Sequence, residues 1–173
     1  MKQLLLALFL VFAAPAFADG GDQRILVDLD EVVEAGRVTP VNGITSAGQP
    51  DAAELDVFAD SGYAVVIDMR GPDEDRGMED FPGVVEAKGM KYVAFPIASP
   101  GDINLEKAAE LDELLARIDG PALLHCGSGN RVGAILALRQ SLKGADDESA
   151  IAYGRDAGMT RLEPAVRKVL EKD

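Results

Sequence analysis

The stretch "ALLHCGSGNRVGAILAL", residues 122–138, decides how the chain is read. It holds the only cysteine, Cys126, beside the only histidine, His125, and Arg131 follows after four small or polar residues. The apolar run before Cys126 reads as a short buried strand, and the nearly all-apolar run from Val132 to Leu142 as a central buried helix. The segment therefore runs strand, glycine-containing turn, helix, with Cys126 ending the strand and Arg131 opening the helix. Gly127, Ser128, Gly129 and Asn130 form the turn, and two glycines and an asparagine there tolerate positive φ. Such a turn can gather its backbone N–H groups inward, and with the helix N-terminus they make a cradle for an anion.

The same cradle acts on the thiol. Positive surroundings of this kind favour the thiolate over the thiol. A lone cysteine without context is by default a small buried apolar residue, and glycines at a turn need signify no more than a sharp bend. Cysteine, glycines and arginine at one strand-to-helix junction favour a functional thiol. Arg131 adds a planar fork suited to two oxygens of a tetrahedral oxyanion. His125 starts on the opposite face of the strand from Cys126. It is expected to be a hydrogen-bonded core histidine that supports the loop, not a base acting on the thiol. With one histidine and one cysteine no zinc site is expected, and no metal or other cofactor.

Outward from this segment, short β-branched runs alternate with helical periodicity. "VIDM" (66–69) and "YVAFPI" (92–97) read with "ALLHC" (122–126) as buried strands, and "ITSA" (44–47) is a weaker strand signal. Leu105, Ala108, Leu111, Leu115 and Ile118 recur at spacings of three and four, which predicts a helix. Further helices are expected over 51–60, 147–157 and 164–171, the last with proline in its first turn. Residues 19–37 carry little signal beyond an apolar patch at 25–27. The alternation implies an α/β fold, a mostly parallel central sheet flanked by helices. In such sheets ligands bind beyond the carboxyl ends of strands, which is where "HCGSGNR" falls.

The opening "MKQLLLALFLVFAAPAFA" (1–18) has a basic start, an apolar run too short to span a bilayer and a small-x-small exit, as in a secretory signal peptide. The mature chain, 19–173, is then one soluble exported domain, periplasmic if the source is Gram-negative. Loss of Lys2 takes its formal charge from −13 to −14. So acidic a surface disfavours nucleic acid and anionic lipid. An anionic substrate must be drawn in by a local site. Screening beyond about 8 Å at physiological salt makes that feasible. One cysteine cannot form an intramolecular disulfide.

The Cys-x4-Arg loop after "HC", followed by "VGAILAL", resembles the cysteine-dependent protein tyrosine and dual-specificity phosphatase superfamily, and within it the bacterial beta-lactamase hydrolase-like phosphatase-like domain. "ITSAGQP" (44–50), "VVIDMR" (65–70), "GMKYVAFPI" (89–97) and "AGMTRLEPAV" (157–166) are similar to that branch too, so the resemblance covers roughly residues 40–170. It implies a tyrosine-phosphatase-like fold with a parallel sheet of four or slightly more strands, Cys126 as nucleophile and a cysteinyl-phosphate intermediate on a phosphate monoester. Arg131 and the backbone of 127–131 would then bind the phosphoryl group. Two features depart from the superfamily, which usually has five residues between cysteine and arginine and a serine or threonine where Val132 stands. "CGSGNR" also resembles the active loop of rhodanese sulfurtransferases, which carry a persulfide, and "VIDMRGPDE" (66–74) their aspartate-arginine motif. The order of elements and the long helix before the cysteine strand fit the phosphatase arrangement better. A module that binds an oxyanion without turning it over is the third reading.

In that superfamily the general acid is usually an aspartate on the loop after the preceding strand. Here that loop is "PIASPGDIN" (96–104), with Asp102 as candidate. An aspartate so placed can equally satisfy free N–H groups near a helix start. Asp68 and Arg70 are expected as a buried pair that orients the loop. The runs Asp73-Glu74-Asp75 and Asp146-Asp147-Glu148 are expected to be solvated, the second as a helix entry.

Overall fold

The strand expected before Cys126 lies at the centre of the sheet. A computed structural model describes residues 24–172, and the expected signal peptide falls outside the described residues. Four strands, β1 (Ile44–Ala47), β2 (Val65–Asp68), β3 (Lys91–Ala94) and β4 (Ala122–His125), pair in parallel in the order β1-β4-β2-β3. Helices α1 (Leu29–Ala35), α2 (Ala52–Asp60) and α3 (Phe81–Ala87) come before β3. Then follow a 3₁₀ turn (Pro100–Asp102), α4 (Leu105–Leu115), α5 (Asn130–Leu142), α6 (Asp147–Asp156) and α7 (Glu163–Leu170). No helix among the described residues is long and apolar enough to cross a membrane.

Strand alternation divides the core in two. Val65, Ile67, Leu124 and Cys126 pack on one face with α4 to α7, while Val66 and Leu123 pack on the other with Phe58, Phe81 and Val85. Cys126 and His125 therefore belong to opposite faces, as the alternation predicts. α5 is buried from Val132 to Leu138. It crosses α6 so closely that a Cβ on Gly133 would lie 2.3 Å from the Met159 nitrogen, and one on Gly154 2.7 Å from Ala137.

The structure differs from expectation at four places. β3 is a half-exposed edge strand that ends at Ala94. The buried residues of "YVAFPI" are Phe95 and Ile97 beyond it, where Phe95 N donates to Asp68 O (2.8 Å) and Ile97 N to Met69 O (3.1 Å). Residues 25–27 cover the other edge, with Ser46 N donating to Ile25 O (2.7 Å) and Val27 N to Ser46 O (3.0 Å). Covering an edge strand removes a row of unpaired backbone groups. α1 and α3 are too short to show a hydrophobic period, and their signals are the caps, Asp28 for α1 and Asp80 with an early proline for α3.

Candidate active site

Cys126 follows β4 and is 1% exposed. Gly127 and Ser128 are exposed at the rim, and Gly129 is buried. Of the turn residues only Gly129 takes a positive φ, +78°, as N-cap of α5. A Cβ there would also meet Leu26 Cδ1 at 2.7 Å, a side-chain tip that can give way, so it is the positive φ that calls for glycine. Ser128 forms an isolated antiparallel bridge with Gly48, which ties the rim to the end of "ITSAGQP".

Asn130 is the first residue of the helix and not part of the turn. Its carboxamide oxygen points away and accepts from Thr160 N (2.8 Å), Thr160 Oγ1 (3.2 Å) and Leu162 N (3.3 Å). It anchors the 158–162 loop beside the cysteine loop.

A side chain caps the N-terminus of five other helices, namely Asp28, Asp51, Asp80, Asn104 and Asp146. No side chain caps α5. The first N–H groups of a helix have no intrahelical partner, and with the helix dipole they favour an anion. α7 also lacks a side-chain cap, but α5 alone of the two begins four residues after Cys126, so its first N–H groups face the cysteine loop.

Glu74, expected to be merely solvated, is the main partner of Arg131. Arg131 Nη1 donates to Glu74 Oε1 (2.5 Å), Nη2 to Glu74 Oε2 (2.8 Å), and Nη1 also to Ile97 O (3.3 Å). A guanidinium has five N–H donors. The three used here leave Nε–H and one Nη2–H, which share an edge of the fork. The Glu74 carboxylate, and with it the neighbouring Cys126 sulfur, raises the Arg131 pKa. In return Arg131, helped by Gly71 N–H and Arg70, pulls Glu74 down to about 2.

Asp68 and Arg70 do not form the expected side-chain pair. The buried Asp68 carboxylate accepts from Arg76 Nε (2.6 Å), Tyr92 Oη (2.9 Å) and the backbone N–H of Arg70 (2.8 Å). The Arg70 guanidinium turns the other way, donating to Gln49 Oε1 (2.8 Å), with its Nε 3.3 Å from Glu74 Oε2. Arg76 also donates to the carbonyls of Gly71 (3.1 Å) and Glu74 (2.9 Å), so it pins the loop that presents Glu74. No fixed spacing in the sequence announces Gln49 or Arg76 as site residues, nor Glu74 as more than a solvated carboxylate. Only the "DMR…E" order hints at a charged loop.

His125 is fully buried, but neither ring nitrogen has a hydrogen-bond partner, so it is not the hydrogen-bonded histidine expected. Its Nε2 lies 3.6 Å from Asp68 Oδ1 and its ring packs 5.1 Å from that of Phe81. Burial pushes its pKa down to about 4, which favours the neutral ring.

Asp102 is bound to the backbone of its own loop. Its Oδ2 accepts from Ser99 N (2.7 Å), Ala98 N (2.9 Å) and Ser99 Oγ (3.1 Å), which lowers its pKa. A general acid must hold a proton, and these donors favour the ionised form. Asp102 caps its own loop.

The match to known proteins follows the same outline. Residues 30–143 match the model of the family described as "Beta-lactamase hydrolase-like protein, phosphatase-like domain". A beta-lactamase hydrolase-like protein of Agrobacterium fabrum is 28% identical over 122 residues, 66% of this chain and 27% of that protein, so the chain spans under a third of that relative. In structure the chain is similar to a putative phosphatase from Neisseria meningitidis (TM-score 0.60, 19% identity, 70% of this chain and 89% of that one). It is also similar to a cysteine-to-serine variant of TpbA from P. aeruginosa in complex with phosphotyrosine (TM-score 0.50, 17% identity, 71% and 75%).

Proposed function

The chain belongs to the family of beta-lactamase hydrolase-like proteins' phosphatase-like domains, and from that premise we propose that it is a cysteine-dependent phosphomonoesterase. The observation that carries this reading is a cysteine four residues before an uncapped helix, beside an arginine whose second edge meets no oxygen acceptor and lies toward the cysteine sulfur. Arg131 Nε–H and Nη2–H and the N-terminus of α5 would hold the phosphoryl oxygens. Cys126 Sγ, as thiolate, attacks phosphorus while the bond to the leaving oxygen breaks. Water then attacks the cysteinyl phosphate, the S–P bond breaks, and inorganic phosphate leaves with the thiolate restored.

Proton donation to the leaving oxygen typically contributes about 10²–10⁴-fold. The N–H groups on Asp102 favour its ionised form, which suits the site to esters whose oxyanion departs unaided, such as aryl phosphates. The first eighteen residues support an exported location.

A phosphate-binding module without turnover is the second reading, favoured by Val132, which offers no hydroxyl to the departing thiolate, and by the capped Asp102. Hydrolysis of 4-nitrophenyl phosphate by the reduced protein across about pH 5 to 8 separates the two. We expect turnover that Cys126→Ser abolishes and that Asp102→Asn changes by less than about threefold. Activity equal to that of Cys126→Ser overturns the phosphatase reading. Retained vanadate binding would then support the binding module, and a gain of one sulfur from thiosulfate a sulfurtransferase. A loss of about 10²-fold or more in Asp102→Asn would restore Asp102 as the acid.

A further inference from the structure

Beside the Cys126 loop lies an open cleft of about 390 Å³, walled on one side by Ile97–Pro100 and on the other by Arg131, Arg161 and Leu162. In a chain with 30 acidic residues, no carboxylate lines it. The arginines of this region divide sharply by partner. Arg155 and Arg167 are bound to Glu163, and Arg167 also to Glu148. Arg131 is matched by Glu74. Arg161 is exposed and forms no ion pair or hydrogen bond among the described residues.

Its backbone is nevertheless fixed. Asn130 accepts from the N–H groups of Thr160 and Leu162, the residues on either side of Arg161. The residue before the phosphate-binding arginine thus holds the base of a second arginine against the same cleft, while the side chain stays uncommitted. A pinned backbone with a free cationic head has lost part of its ordering cost before a ligand arrives. Glu74 cancels much of the charge of Arg131, so Arg161 supplies the uncompensated positive charge that an anion needs near so acidic a surface.

Building on the phosphatase reading, we propose that Arg161 is a specificity residue that binds a second oxyanion group, carboxylate or phosphate, carried by the leaving group of the substrate. Ile97, Ile103 and Leu162 give the cleft an apolar wall suited to a short apolar body between the two anionic ends. The preferred substrate is then a phosphomonoester with one further anionic group on an aryl or similar spacer.

The test compares kcat/KM for 4-carboxyphenyl phosphate and 4-carbamoylphenyl phosphate, which are nearly isosteric and differ by one charge, with 1,4-phenylene bisphosphate as the phosphate arm. We expect the wild type to prefer an anionic partner by about fivefold, the size of one partly exposed ion pair. The bisphosphate, compared with the carboxylate, tells which anion fits. In Arg161→Gln the preference falls to about one, in Arg161→Glu it inverts, and in Arg161→Lys much of it returns. Added salt shrinks the wild-type preference. Since the Arg161 side chain is exposed and forms no ion pair or hydrogen bond among the described residues, its variants should keep the wild-type Tm. Hydrolysis of charged and neutral esters at equal kcat/KM, or a preference that survives Arg161→Gln, overturns the role of Arg161 and leaves the phosphatase reading standing. Hydrolysis of neither ester overturns both.

Discussion

Two loops meet at the guanidinium of Arg131, and they are built on different principles. The 126–131 loop is made of backbone: a strand end, Gly129 at φ +78° and an uncapped helix. The 69–76 loop is made of side chains. Arg76 threads its carbonyls and reaches the buried Asp68, and Glu74 is presented at the tip. The first binds through groups every residue has, so its requirements are for small residues at fixed places. The second holds its partner through one carboxylate, so it is sensitive to a single charge. A backbone cradle and a side-chain brace should therefore fail differently when broken.

The largest effect is expected in the backbone loop. Gly129→Ala forces a Cβ into a left-handed position and against Leu26, which should cost about 1–2 kcal/mol of stability in a denaturant titration. Displacing the cradle relative to Cys126 should cost about 10²-fold in kcat/KM for 4-nitrophenyl phosphate. An alanine variant with wild-type activity would show that the cradle does not depend on this turn.

Breaking the brace should cost less. Glu74→Gln keeps the shape but loses the charge-assisted fork, and about a tenfold fall in kcat/KM is expected as Arg131 loses its orientation. Glu74 titrates near 2, below the ordinary 4.5, so its ion pair is intact above the ordinary value and is lost only as pH falls through about 2. No step in a pH–rate profile between about pH 5 and 8 should belong to this pair. Such a step vanishing in Glu74→Gln would contradict the assignment.

The smallest effect concerns the layer beneath both loops. His125 has its pKa pushed down from 6.5 to about 4, so the unfolded chain binds the proton first. Its contribution to stability is complete above pH 6.5 and is lost as pH falls through about 4. Tm should decline by a few degrees over that window, and His125→Asn should flatten the decline. An unchanged slope in the variant would assign the acid sensitivity to other groups.

Much of the site was legible because its parts are local. Cys126, Gly129 and Arg131 lie within six residues, and the strand and helix that present them are continuous in sequence. The turn also showed where the glycines are needed, although only one has positive φ, and Asn130 proved to belong to the helix. The sequence leaves Asp102 open between two roles, and the fold adds the N–H groups of Ala98 and Ser99, which the loop turns back onto its carboxylate. Asp68 was rightly singled out as buried, but its partner is Arg76, because the chain must leave the sheet and return before a side chain can reach back.

The sequence by itself determined the alternation of strand and helix, the opposite faces of His125 and Cys126, and the cysteine–glycine–arginine junction at a strand end. Each of these follows from period, spacing or the conformational limits of single residues. Only the tertiary structure decided that Glu74 braces Arg131 across 57 positions, that Asn130 holds the backbone around Arg161, and that residues 25–27 close the sheet edge. Those pairings join groups that any charged or polar residue could offer. Which of them meet is settled by the packing of the whole sheet, and by no pattern within a single segment.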